Sequence, residues 1–134
     1  MVVTNHARER YLQRLNRKAE YDDDSVNKGI DELYKNAISL GSIKIGLNKY
    51  SDYMYNKHYA CILGMDKDKL VTLYKVNCNK IFIIDEILKL KFKLQATYSS
   101  IKVEQDIDKV ISLFQEKNDL RLKLNCMMKK LIFN

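Results

Sequence analysis

The sequence contains no proline and no tryptophan, and only four glycines and three cysteines among its 134 residues. No stretch approaches the ~18 uncharged apolar residues of a membrane-spanning helix, and the N-terminus lacks the basic, apolar and small-residue order of a signal peptide. Cys61, Cys78 and Cys126 form no Cys-x-x-Cys pair, so neither a disulfide framework nor a zinc site is indicated. These absences predict a cytoplasmic protein with reduced, mostly buried thiols, no cofactor and no membrane segment. The length predicts a single domain over residues 1–134.

The charge is strongly positive and lies near the two ends of the chain. The formal net charge is +7. Residues 1–20 carry five Arg or Lys against two Glu, and residues 87–134 carry ten against five acidic residues. Such a distribution favours a polyanionic partner, although net charge bears on association and not on fold.

Two amphipathic helices are predicted at the N-terminus. In residues 5–20, Ala7, Tyr11 and Leu15 cluster on one side at about 100° per residue. The opposite side carries His6, Arg10, Gln13, Arg14 and Arg17. The acidic turn at residues 22–24 breaks this helix and caps a second one over residues 25–40, with Gly41 as its C-cap.

The middle of the chain is predicted to form strands. Residues 53–55, 58–63 and 70–76 are rich in aromatic and β-branched side chains, with a turn over residues 66–68. Residues 81–84 indicate a further strand, or alternatively the start of a helix. Residues 88–98 alternate strictly, which favours a strand with Lys89, Lys91 and Lys93 on one face.

A helix over residues 104–131, with a kink near residues 117–119, completes the prediction. The order of elements predicts an α+β domain: two N-terminal helices, an antiparallel sheet of three to five strands and a long C-terminal helix. Its apolar positions Leu124, Met127 and Met128 predict core packing or, alternatively, the surface of a homodimer.

His6 and the arginines that share its helical face are the first candidates for chemistry. Histidine can take and return a proton near neutral pH, as RNA cleavage through the 2′-hydroxyl requires. Arg10 and Arg14 would bind the scissile phosphate, because guanidinium groups match phosphate oxygens. The alternative is a solvated basic face with no chemistry. With only two histidines and no carboxylate pair beside them, no catalytic metal is expected.

Two other groups suggest nucleic-acid binding. Lys89, Lys91 and Lys93, together with Arg17, could follow a phosphate backbone. The lysines could equally protect an exposed edge strand from pairing with another chain. His58, at the start of a predicted strand near Tyr53 and Tyr55, could help to stack unpaired bases, or the tyrosines could simply be half-buried sheet residues.

The run His-Ala-x-x-Arg-Tyr-x-x-Arg at residues 6–14, followed by Leu-Val-Thr-Leu-Tyr at residues 70–74, resembles the barnase, EndoU, colicin and RelE superfamily of small ribonucleases. The resemblance covers residues 5–76. It implies that His6, Arg10 and Arg14 lie on the helix side of a cleft and that Thr72 and Tyr74 lie on its strand side. The chain departs from that pattern because no basic cluster follows Tyr74 and because a long helix follows the sheet.

Two functions follow as expectations. The first is a nucleic-acid-directed protein that acts as a metal-independent ribonuclease, with RNA a better candidate than DNA. The second is a non-catalytic phage accessory or anti-defence protein that binds a nucleic acid or inhibits a nucleic-acid-binding enzyme. Besides these two, a third expectation is a structural or regulatory homodimer built on the C-terminal helix.

Overall fold

A computed structural model of the chain describes residues 1–15 and 22–133, which fall into two compact units, Met1–Cys78 and Asn79–Asn134. The first unit holds strand β1 (Val2–Val3), helices α1 (Asn5–Arg14) and α2 (Asp23–Lys35), and strands β2 (Ile38–Gly46), β3 (Lys49–Asn56), β4 (Cys61–Asp66) and β5 (Lys69–Lys75). Helices α3 (Cys78–Val103) and α4 (Ile107–Phe133) complete the described chain. The α+β class is confirmed, and the single domain stays a prediction.

The first unit is built on a sheet with the strand order β1-β5-β4-β3-β2. Strands β2 to β5 pair antiparallel, whereas β1 pairs parallel with β5 through Val2 and Val3. The predicted antiparallel sheet is therefore a mixed one. Neither β1 nor β2 was predicted. Strand β1 has only two residues, too few to show a period, and the first residues of β2 were assigned to the predicted second helix.

Helices α1 and α2 cover one face of this sheet. Thr4 caps α1 by accepting a hydrogen bond from the Ala7 amide at 3.1 Å, and Asp22 caps α2 through the Asp24 amide at 3.1 Å. Among the described residues, eleven are buried in the core between the helices and the sheet. They are Val3, Ala7, Tyr11, Val26, Ile30, Leu33, Cys61, Leu63, Met65, Leu70 and Leu73.

Helix α2 ends at Lys35, earlier than predicted, because strand β2 begins at Ile38. Gly41 is not a helix cap. It lies within β2 with φ +128°, where the pairing with β3 shifts by one residue. A side chain is disfavoured at this φ, so glycine permits the bulge.

The predicted strand at residues 88–98 is wrong, and at residues 81–84 the alternative, the start of a helix, is the correct one, because both segments belong to α3. Buried Ile84, Ile87 and Leu90 follow one another at helical spacing. The segment 88–96 is also made almost wholly of Leu, Lys, Gln and Ala, which favour helix. The apolar residues of 88–98 alternate with polar ones, but only some of the apolar residues are buried, and the buried ones follow the helical spacing.

Helix α4 confirms the predicted C-terminal helix, but it is the second of two helices after the sheet and it continues without a break through residues 117–119. The Lys80 ammonium donates to the Leu131 carbonyl at 2.9 Å. Because Lys80 lies near the start of α3 and Leu131 near the end of α4, the two helices run antiparallel.

The cysteines differ from the expectation that most are buried. Cys61 is buried, whereas Cys78 and Cys126 are exposed. Within residues 1–15 and 22–133, no helix is both long and apolar enough to cross a bilayer.

Candidate functional site

The candidate site lies where helix α1 runs along the outer edge of β5. Strand β1 pairs with β5 only as far as Leu70. Beyond it, the Thr4 amide donates to the Leu70 carbonyl at 3.1 Å and the Thr4 hydroxyl donates to the Val71 carbonyl at 3.3 Å. The first turn of α1 therefore replaces the missing part of the short strand as a partner of β5.

Arg14, in the last turn of α1, holds the same edge further along. Its Nη1 donates to the Leu73 carbonyl, and its guanidinium carbon lies 5.3 Å from the centre of the Tyr74 ring. An arginine at this distance from an aromatic face is attracted by the ring. Arg14 and Tyr74 were predicted to lie on opposite sides of a cleft, and the structure brings them into contact. The two interactions of Arg14 hold its guanidinium at the edge of the sheet.

His6 and Arg10 form a second pair on α1. Arg10 Nε donates to His6 Nε2 at 3.4 Å, and Arg10 Nη1 donates to Gln13 Oε1 at 2.9 Å. Residues four apart on a helix are neighbours, with a rise of about 6 Å. His6, Arg10 and Arg14 therefore form one basic row that begins at the exposed His6 ring and ends at the Tyr74 ring.

Thr72 is not part of this row. It pairs with Gly64 in β4, which pairs with Tyr53 in β3, and residues directly opposite one another share a face of the sheet. Leu63 and Leu73 pair with each other on the face of the sheet that the helices cover. Thr72 lies next to Leu73 in the strand and therefore on the opposite face, which is turned away from α1. Thr72 and His6 are thus separated by the sheet, and only Arg14 reaches across the edge to Tyr74.

The tyrosines near Tyr74 are buried and do not form an open stacking surface. Tyr53 and Tyr55 are only 4% and 7% exposed. Burial, with a smaller effect from the neighbouring Tyr74, raises the pKa of Tyr53, while a hydrogen bond with Ser51 lowers it. The predicted half-buried sheet role describes them better than a base-stacking role.

His58 does not start a strand, because it lies in the turn between β3 and β4. Its ring meets the Tyr59 ring edge-on, with 4.8 Å between their centres. Buried Asn56 holds this turn: its Nδ2 donates to the Leu33 carbonyl at 2.9 Å, and its Oδ1 accepts from the Tyr59 amide at 3.1 Å.

The predicted lysine row does not exist as one face. Lys89, Lys91 and Lys93 lie on α3, where only Lys89 and Lys93, four residues apart, share a side. Both are exposed, whereas Lys91 is partly buried and its pKa is lowered by desolvation. Arg17 lies outside the described residues.

Sequence reasoning placed His6, Arg10 and Arg14 on one helical face, but it missed the group that holds Arg14. That group is the backbone carbonyl of Leu73, which is available because β1 stops early. In the described part of the chain, no three His, Cys, Asp or Glu side chains come together as a metal site would need. No protein-family model, curated protein or solved structure matches this chain.

Proposed function

We propose that this protein is directed at single-stranded RNA, whose phosphates bind the row His6, Arg10 and Arg14 along the edge of the sheet. The observation that carries the proposal is the position of Arg14, bound to the Leu73 carbonyl and close to the Tyr74 ring. A guanidinium held in place loses less conformational entropy when it binds a phosphate than a mobile one does. Its remaining N–H groups extend the positive row begun by Arg10.

His6 is the proposed acid/base of a metal-independent cleavage. In that reaction the 2′-oxygen attacks the phosphorus, His6 accepts the 2′-hydroxyl proton, and the 5′-oxygen leaves and takes up a proton from solvent. The lone pair of His6 Nε2 now accepts from Arg10 at 3.4 Å. Binding of a phosphate by Arg10 would release that lone pair, so substrate binding and activation of His6 would be coupled.

Residues predicted for the strand side contribute unequally. Tyr74 remains within reach of the row through its contact with Arg14. Thr72 is assigned a packing role, because its methyl group lies so close to Gly64 that an added Cβ there would be 2.7 Å away. The proposed site is therefore His6, Arg10, Arg14 and Tyr74, without Thr72.

A second candidate is the non-catalytic binding protein that covers a nucleic acid or a nucleic-acid-binding enzyme, as a phage accessory or anti-defence factor would. The separation of Thr72 from His6 by the sheet favours it, because the five predicted catalytic residues do not converge on one point. The basic row would then bind RNA without cleaving it.

The two candidates are separated by incubating labelled single-stranded RNA in EDTA with the wild type, His6→Ala and His58→Ala, followed on a denaturing gel. His58 is the matched control, because it is the other histidine and is also exposed. Cleavage by the wild type and His58→Ala, but not by His6→Ala, is expected. Intact RNA in every lane would refute catalysis and leave the binding function, whereas equal cleavage in every lane would refute the role of His6.

A further inference from the structure

A pocket opens in the first unit between α1, α2 and the turn that joins β3 to β4. Its volume is about 270 Å³, which is close to the lower end of the range of about 300–1,000 Å³ that small-molecule sites occupy. The described residues that line it are Tyr11, Leu15, Gly29, Glu32, Leu33 and Tyr59. The pocket therefore has room for a small ligand, and it shares no residue with the row His6, Arg10 and Arg14.

Contacts between distant parts of the chain hold the walls of this pocket. Asn56, only 1% exposed, donates from Nδ2 to the Leu33 carbonyl at 2.9 Å and accepts at Oδ1 from the Tyr59 amide at 3.1 Å. These two bonds tie the turn that carries Tyr59 to the end of α2. On α1, the Tyr11 ring lies against the backbone of α2, where a Cβ added to Gly29 would be 2.7 Å from Tyr11 Cζ. A site formed in this way before the ligand arrives loses little entropy on binding.

The lining combines one carboxylate with two aromatic rings. Glu32 is the only charged side chain among the described residues that line the pocket, although the net charge of the chain is +7. It lies in the last turn of α2, at the end of the helix where the dipole is negative. Tyrosine rings attract cations, and a carboxylate repels phosphates. The pocket therefore favours a ligand of the opposite charge to RNA.

We propose that this pocket binds a small organic cation, namely a primary ammonium group on a short apolar stem. The Glu32 carboxylate accepts hydrogen bonds from the ammonium, and the rings of Tyr11 and Tyr59 lie beside its charge. The stem contacts Leu15 and Leu33, which supply the apolar part of the lining. A free amine and a lysine side chain both carry this group. The proposal does not depend on RNA binding, because the two sites use different residues.

The first test titrates the protein with n-butylammonium and with n-butanol, followed by the amide NMR shifts of Gly29, Leu33 and Tyr59. Both ligands have the same four-carbon stem, and only n-butylammonium is charged. Saturable shifts with n-butylammonium are expected, with at least roughly fivefold weaker binding of n-butanol. Equal affinities would overturn the proposal, because the pocket would then select the stem alone. Absence of a saturable shift with n-butylammonium would overturn it as well.

The second test locates the charge that binds the cation. Glu32→Gln and Tyr59→Leu should each weaken n-butylammonium binding roughly fivefold. Asp31→Asn is the matched control, because it removes the same charge from an exposed neighbour on α2 that does not line the pocket. It should leave the affinity unchanged in about 0.15 M salt, where charges more than about 8 Å apart are largely screened. Equal losses in Glu32→Gln and Asp31→Asn would overturn the proposal, because the attraction would then be general. Circular dichroism verifies that each variant is folded.

The third test distinguishes the two sources of the cation with N-acetyllysine amide. Tighter binding than that of n-butylammonium would identify the lysine side chain of a polypeptide, because its backbone then adds contacts. Weaker binding would identify a free amine, because the backbone then does not fit at the mouth of the pocket. Either result supports the ammonium site, provided that Glu32→Gln weakens the binding. Binding of N-acetyllysine amide that Glu32→Gln leaves unchanged would contradict it.

Discussion

Gly64 and Thr72 face each other across β4 and β5 with too little space between them for a further methyl group. A Cβ added to Gly64 would lie 2.7 Å from Thr72 Cγ2 and 3.4 Å from Tyr53 Cε1. Strand β4 lies between β3 and β5, and both Gly64 and Tyr53 are buried, so little space is open to an added methyl group. Thr72 therefore packs against Gly64 through its methyl group.

We therefore predict that Gly64→Ala destabilises the protein by about 1–3 kcal/mol, the usual cost of overpacking a core. Thr72→Ser removes only the methyl group and keeps the hydroxyl, so the double variant should recover much of that loss. Urea unfolding of the two single variants and the double variant gives the coupling free energy. Independent, additive effects would contradict the proposed contact. Loss of RNA cleavage in Thr72→Val, which keeps the methyl group and removes the hydroxyl, would contradict the purely structural role of Thr72.

Cys61 predicts how stability changes at high pH. Burial raises the pKa of its thiol from 9.0 to about 11. Because the folded state retains the proton to higher pH than the unfolded state, this contribution to stability is complete below pH 9 and is lost as the pH rises towards 11. The free energy of unfolding should fall less steeply between pH 9 and 11 in Cys61→Ala than in the wild type. Parallel pH profiles of the two proteins would exclude Cys61 as the cause.

At the scale of elements, the sequence showed most of the first unit but concealed β2. Leu40 and Ile43 are both buried although they are three residues apart, because the pairing shifts at the Gly41 bulge between them. The predicted second helix continued to residue 40 because Ala37 and Leu40 extend the helical spacing of Leu33. In α3 the error was the reverse: the alternation of residues 88–98 predicted a strand, although the buried residues of this segment lie at helical intervals. The spacing of apolar residues alone cannot distinguish a bulged strand from a helix, or a helix with alternating side chains from a strand. The bulge in β2 and the buried side of α3 are set by contacts with residues distant in the sequence.

The junction of β1, α1 and β5 depends on Thr4. Its hydroxyl accepts from the Ala7 amide at 3.1 Å and donates to the Val71 carbonyl at 3.3 Å. Thr4→Ala should cost about 1–2 kcal/mol of stability, as other lost helix caps do. Thr4→Ser keeps both bonds and should restore most of it in urea unfolding. If the serine variant were as unstable as the alanine variant, the methyl group and not the hydroxyl would be the stabilising part.

At the scale of the whole molecule, the net charge of +7 predicted a polyanionic partner but not its place of binding. The helical period correctly placed His6, Arg10 and Arg14 on one face, since that face depends only on local spacing. Whether Arg14 would meet Tyr74 or Thr72 could not be predicted. That outcome depends on how far β1 extends and on which sheet face each side chain takes, and both are set by contacts between distant residues.

The salt dependence of RNA binding tests where the excess charge acts. Each phosphate neutralised on single-stranded RNA contributes about 0.7 to the slope of log affinity against log salt concentration. Arg10→Ala should therefore lower the slope by about 0.7, whereas Lys28→Ala, which removes an exposed charge from α2, should leave it unchanged. Arg10 is more informative than Arg14, because removing Arg14 also exposes the edge of β5. An unchanged slope in Arg10→Ala, together with a lower one in Lys89→Ala/Lys93→Ala, would move the binding site from α1 to α3. The row along α1 would then be a solvated face, the alternative that its sequence pattern left open.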